Sequence, residues 1–189
     1  MTASMSADDL LAQVMQRNDR IQTPVVDKVP EAAPLGLVRL EESMRESAQS
    51  VFSKMCGIEL SLTQMHPGPA ETRYDLSGII GISGALKATV VINLSAELAF
   101  AVADAFTGER PTEIDEGLID MVGELANMIG GNAKERLSNP DLSLGLPTVV
   151  TGTGHCIAFA TDMKLCTMSF ETEHGPLQIE LGASEKKKR

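Results

Sequence analysis

The sequence predicts an α+β fold, with a mostly antiparallel sheet and long helices packed on it. Strand-like stretches stand both before and after the helical ones, without the regular strand–helix alternation that builds a parallel sheet. Two long segments, 35–55 and the one following Thr112, carry apolar residues at three- and four-residue spacing. A hydrophobic fraction of 43% in 189 residues, with no Trp and one Tyr, is enough for a single aliphatic core.

The first 34 residues read as an arm and linker. Asp8–Asn18 has a short amphipathic pattern, too short to hold as an isolated helix. Pro24, Pro30 and Pro34 then exclude both helix and interior strand up to the domain, which is placed at 35–182. Part of this arm is expected to be disordered.

Within the domain, Leu37, Leu40, Met44, Ala48, Val51, Phe52 and Met55 share one helix face, and Gly57 marks its end. Ile58–Met65 alternates as a strand with one wet face, and H-P-G-P-A is a turn. Thr72–Ser83 and Ala85–Leu94 form a hairpin through Gly84. Ser95 caps a helix over Ala96–Phe106, where Glu97 suits the positive end of the dipole. Thr112 is the expected cap of the long helix. Extended stretches follow at Leu142–Thr151, His155–Ala160, Lys164–Thr172 and Leu177–Leu181, and residues 183–189 form a basic tail.

Charge and cysteine usage narrow the function. A net charge of −10 opposes nucleic-acid binding, which needs clustered Lys and Arg to neutralise phosphates. Cys56, Cys156 and Cys166 are odd in number and widely spaced, so they read as small core residues in a reducing compartment rather than disulfides or zinc ligands. No stretch reaches the ~20 apolar residues of a membrane span. No secretion signal is visible, and a cytoplasmic location is expected. Neither a G-x-S-x-G elbow nor a Ser placed beside a His supports serine-hydrolase chemistry.

The long helix carries the most unusual face. At about 100° per residue, Glu116, Asp120, Glu124, Asn127 and Gly131 fall in one strip, while Leu118, Val122, Leu125, Ala126, Ile129 and Ala133 occupy the opposite side. Such a seam can position but cannot attack. A carboxylate pairs with a cation, and an amide both donates to and accepts from one water. Gly130 and Gly131 together cost about 2 kcal/mol if they are mid-helix. Either a partner approaches closely there, or one of them ends the helix as a cap.

These residues carry a resemblance. Asp120, Glu124 and Asn127 form D-x-x-x-E-x-x-N, and with N-M-I-G-G-N-A-K they resemble the signature helix of the chemotaxis phosphatases of the CheC and CheX type. S-G-I-I-G-I-S-G-A-L-K-A-T-V-V-I-N-L (Ser77–Leu94) and L-S-L-G-L-P-T-V-V-T-G (Leu142–Gly152) resemble the flanking strands, so the likeness covers about Leu35–Leu181 and is nearest the single-motif CheX type. Glu42, Glu46 and Gln49 give a degenerate second copy. The resemblance implies the same α+β fold and hydrolysis of an aspartyl phosphate on a CheY-like receiver domain. Glu124 would pair with the receiver's lysine, Asn127 would hold the attacking water, and Asp120, Gly131 and Glu116 would contact the partner. Mg²⁺ would come with the receiver, no cofactor belonging to this chain, and a homodimer joined at sheet edges is possible within the family. The alternative is a non-catalytic module that binds a receiver or serves a flagellar switch.

Overall fold

The computed structural model describes residues 36–71 and 73–185. The arm at 1–34, with its Asp8–Asn18 stretch, and Lys186–Arg189 lie outside the described residues. The elements are α1 (Leu37–Val51), β1 (Ser61–Pro67), β2 (Leu76–Gly84), β3 (Leu86–Leu94), α2 (Ala96–Thr107), α3 (Glu116–Leu137), β4 (Leu142–Leu144), β5 (Thr148–Thr151), β6 (Lys164–Thr172) and β7 (Gly175–Glu185).

The strands form one seven-stranded sheet in the order β1-β6-β7-β3-β2-β4, with β5 also pairing β2. Every ladder among the described residues is antiparallel, which agrees with the predicted α+β class. The hairpin turn falls at Gly84, where φ is +113° and a Cβ would collide with the Asp141 carbonyl. Only glycine fits there without strain.

Alternation sorts the two faces of the sheet. Leu76, Ile80 and Ile82 of β2, Val90, Ile92 and Leu94 of β3, and Leu177, Ile179 and Leu181 of β7 are buried in one cluster with residues from all three helices. Each such aliphatic side chain contributes about 1.5–3 kcal/mol on full burial. The opposite face is mixed: Ser77, Val91, Asn93, Thr167 and Glu180 are buried there, while Gly81, Ser83 and Lys87 are exposed. Tyr74 N–H and Ser77 Oγ donate to Asn93 Oδ1, and Ala70 N–H donates to Glu180 Oε2. Arg73 pairs with that same Glu180 oxygen at 3.0 Å, with both side chains almost fully buried. Loss of one partner would strand the other charge, typically costing 3–5 kcal/mol. Phe159 lies directly over Gly182, where a Cβ would come within 2.4 Å of its ring.

Several boundaries differ from the sequence expectation. The first helix does end at Gly57, as expected, in the left-handed region, φ +69°, though its last turn, Phe52–Cys56, is a π-turn. β1 starts at Ser61, not Ile58. Ile58 and Leu60 are buried ahead of the ladder, whereas Ser61–Met65 lie exposed on the sheet's outer strand. Leu142–Thr151 is two short strands rather than one. His155–Ala160 joins no ladder, and its Phe159 lies over Gly182 of β7. β7 continues to Glu185, so Ala183, Ser184 and Glu185, assigned to the basic tail, pair with β3. Cys156 is exposed, not a core residue, while Cys166 is buried and Cys56 half-buried; all three thiols are free.

Candidate functional site

Helix α3 runs unbroken for 22 residues. Its N-cap is Asp115, whose Oδ1 accepts from Leu118 N–H at 2.8 Å. Thr112, the expected cap, lies in a bend three residues earlier. Both residues are good caps, but the helix begins after the one whose carboxylate reaches the free amides. At the other end Ser138 takes the left-handed conformation, φ +51°. Neither Gly130 nor Gly131 is therefore a cap, and the capping alternative is excluded.

The back of α3 is buried as the periodicity requires: Leu118, Val122, Leu125, Ala126, Ile129 and Ala133 are all 3% exposed or less. It packs on α1 and on β2. Gly78 of β2 allows this approach, since a Cβ there would stand 3.0 Å from Ala126 Cβ and 3.2 Å from the Val122 carbonyl. The seam is thus carried on a backbone fixed from behind.

On the front, Glu116, Asp120 and Glu124 are exposed, and Asn127 and Gly131 are half-buried. Glu124 and Asn127 stand one turn apart, the spacing at which helical side chains are neighbours. Among the described residues none hydrogen-bonds the side chains of Asp120, Glu124 or Asn127. A Cβ on Gly131 would meet nothing within 4 Å, whereas one on Gly130 would meet Ile80 and Leu144 at 3.5–3.6 Å. The two glycines thus differ in kind: Gly130 admits the sheet, and Gly131 leaves the seam open. Among the described residues no cluster of three or more His, Cys, Asp or Glu is arranged to hold a metal.

The family model for the chemotaxis phosphatase CheX matches residues 76–171, half of the chain and the whole of α3. The chain belongs to the CheX family. Chemotaxis protein CheX from Vibrio vulnificus is similar at 32% identity, with a TM-score of 0.72 over 77% of this chain and 99% of that one. A CheC-like superfamily protein from Shewanella sp. PV-4 is similar at 30% identity, with a TM-score of 0.74 over 79% of this chain and 99% of that one. The CheY-P phosphatase CheX of Thermotoga maritima is 29% identical over 113 residues, which span 58% of this chain and 73% of that protein.

The degenerate second motif is spent on the fold of this CheX-family chain. Glu46 pairs with Arg136 of α3, and the Gln49 amide donates to the Leu60 carbonyl at 3.3 Å. Only Glu42 remains exposed. A second site built from these residues is not formed.

Two features escaped sequence reasoning. Ser77 Oγ and His155 Nε2 stand 2.8 Å apart, and the other ring nitrogen faces the Gly152 carbonyl at 2.7 Å. Ser77 is fully buried within a ladder, so the pair fastens the 152–160 segment to the sheet and offers no nucleophile to a substrate. The second feature is Leu146, 92% exposed between β4 and β5. The only signal was an apolar residue held between Gly145 and Pro147, which the alternating pattern absorbed into a strand. Among the described residues no helix is long and apolar enough to cross a membrane.

Proposed function

We propose that this chain is a phosphatase that accelerates hydrolysis of the aspartyl phosphate on a CheY-like receiver domain in chemotaxis or related two-component signalling. The observation that supports this most is the Glu124–Asn127 pair: two side chains one turn apart, unengaged within the fold, on the helix at the centre of the family match. Membership of a phosphatase family supplies the reaction class.

In the reaction a water attacks phosphorus in line, the bond from phosphorus to the carboxylate oxygen breaks, and phosphate and free aspartate result. Asn127 is suited to orient that water, because its amide accepts one water proton through Oδ1 and donates through Nδ2. Glu124 is suited to pair with a receiver lysine through a charge-assisted bond. Asp120, Glu116 and Gly131 would form the surrounding contact. Mg²⁺ is expected to travel with the receiver. Orientation of this kind is worth about two orders of magnitude in rate or more when the geometry is well held. A cytoplasmic location accords with a receiver substrate, and β1, paired on one side by β6, is an edge through which two copies could join.

The test is loss of the phosphoryl group from phosphorylated receivers of the same genome. Asn127→Ala should lower the maximal rate at least about a hundredfold while melting at or above the wild-type temperature, since Ala is the better helix former. Glu124→Ala should weaken binding as well as turnover, and Glu124→Lys should weaken it further by opposing like charges. Full activity in Asn127→Ala would leave only the binding-module reading.

A further inference from the structure

The connection between β4 and β5 runs along the flank of α3. Leu144 abuts Gly130 at one end, and Pro147 and Val149 abut Gly123 at the other, each within about 3.5–3.7 Å of the position a Cβ would take. Gly123 and Gly130 bracket Glu124 and Asn127 in sequence, and both lie roughly 60–80° around the helix from the centre of the seam. Leu146 therefore lies on the stretch that passes this flank, between the contacts at Gly130 and at Gly123. Its neighbours hold it in place: Gly145 N–H donates to the Gly81 carbonyl at 2.8 Å, and Pro147 fixes its own φ.

A single exposed Leu is ordinary on a protein surface. This one is more exposed, at 92%, than Val38, Met65, Leu62 or Ile114, the other exposed large hydrophobics among the described residues. The chain is also held at both sides of it, so less backbone entropy is left to lose on binding. Around it the seam is acidic, and Gly131 leaves the helix surface bare. A partner that reaches Asn127 from the side of Gly123 and Gly130 meets this connection.

We propose that Leu146 is the apolar docking residue of this phosphatase. It inserts against an apolar recess on the receiver next to the phosphorylated aspartate, and it sets affinity while Glu124 and Asn127 set the chemistry. This rests on the function proposed above, and it assigns Leu146 a share in recognition that the D-x-x-x-E-x-x-N pattern does not contain.

Leu146→Ala and Leu146→Asp are compared with wild type in two measurements: hydrolysis kinetics on the phosphorylated receiver, and binding to the same receiver loaded with beryllofluoride, which holds it in the activated state. Removal of a fully buried Leu contact predicts a rise of about tenfold or more in both KM and Kd for Leu146→Ala. Leu146→Asp should raise both further, Leu146→Met should retain wild-type values, and kcat and melting temperature should hold throughout. Unchanged KM and Kd in both variants would overturn the inference while leaving the phosphatase intact. A fall in kcat at constant KM, or a lower melting temperature, would make Leu146 a support of the loop and not a docking residue. If the wild type binds the loaded receiver without hydrolysing the phosphorylated one, weaker binding by Leu146→Asp still upholds the docking role and the phosphatase reading alone falls. A wild type that binds no receiver overturns both.

Discussion

Gly130 and Gly131 are adjacent and identical, yet the fold gives them opposite tasks. Gly130 is fully packed, with Ile80 and Leu144 at van der Waals distance from where a side chain would begin. Gly131 has nothing within 4 Å. Gly131→Leu is therefore expected to fold normally, even gaining some of the roughly 1 kcal/mol that a helical glycine forfeits, while losing activity because its side chain stands one turn beyond Asn127 in the seam. Gly130→Leu should do the reverse in stability: overpacking against β2 and β4 typically costs about 1–3 kcal/mol. Thermal melting with the dephosphorylation assay on the two variants checks this. A Gly131→Leu protein that remains fully active would show that no partner approaches the seam there.

At the scale of elements, α1 and α3 share the spacing of a carboxylate and an amide, but only α3 leaves it free. The α1 copy is consumed by packing, with Glu46 on Arg136 and Gln49 on Leu60. Glu46→Ala together with Gln49→Ala should leave receiver dephosphorylation unchanged. The stability cost of losing the ion pair should stay within about 1 kcal/mol, since the pair is partly exposed. A clear loss of activity without loss of folding would restore α1 as a second site. The seam of α3 was legible in sequence because helix geometry is local: knowing the 3.6-residue period was enough to put Glu124, Asn127 and Gly131 on one strip. The use of Glu46 was not, since its partner lies 90 residues away. The break between β4 and β5 escaped for a related reason. Alternation continues through Gly145–Pro147, but Pro147 has no N–H for the β2 ladder, and the consequence, a projecting Leu146, depends on where α3 lies. The same holds for His155–Ala160, whose strand-like pattern joins no ladder and whose Phe159 packs over Gly182 on the outer face of the sheet.

Across the whole molecule, the thiols report how closely helices and sheet are joined. Burial pushes the Cys56 thiol from an ordinary value of 9.0 up to about 12. Cys166 on β6 is pushed up to about 12 as well, first by burial and then by the Glu41 carboxylate of α1, which also accepts a hydrogen bond from it. Tyr74 is raised too, by burial and then by the Glu171 charge. In each case the folded chain holds a proton that the unfolded chain releases. Their contribution to stability is therefore complete below about pH 9 and is lost as pH rises towards 12. The melting temperature should fall steadily over this window, and more gradually in a Cys56→Ala/Cys166→Ala variant, whatever the variant's stability at neutral pH. At pH 8 a thiol reagent should modify one cysteine per folded chain, the exposed Cys156, and all three after unfolding. Rapid modification of Cys166 in the folded chain would mean that α1 opens from β6 readily, and the backing that fixes the seam of α3 would then be looser than the packing of α1 on α3 and the sheet implies.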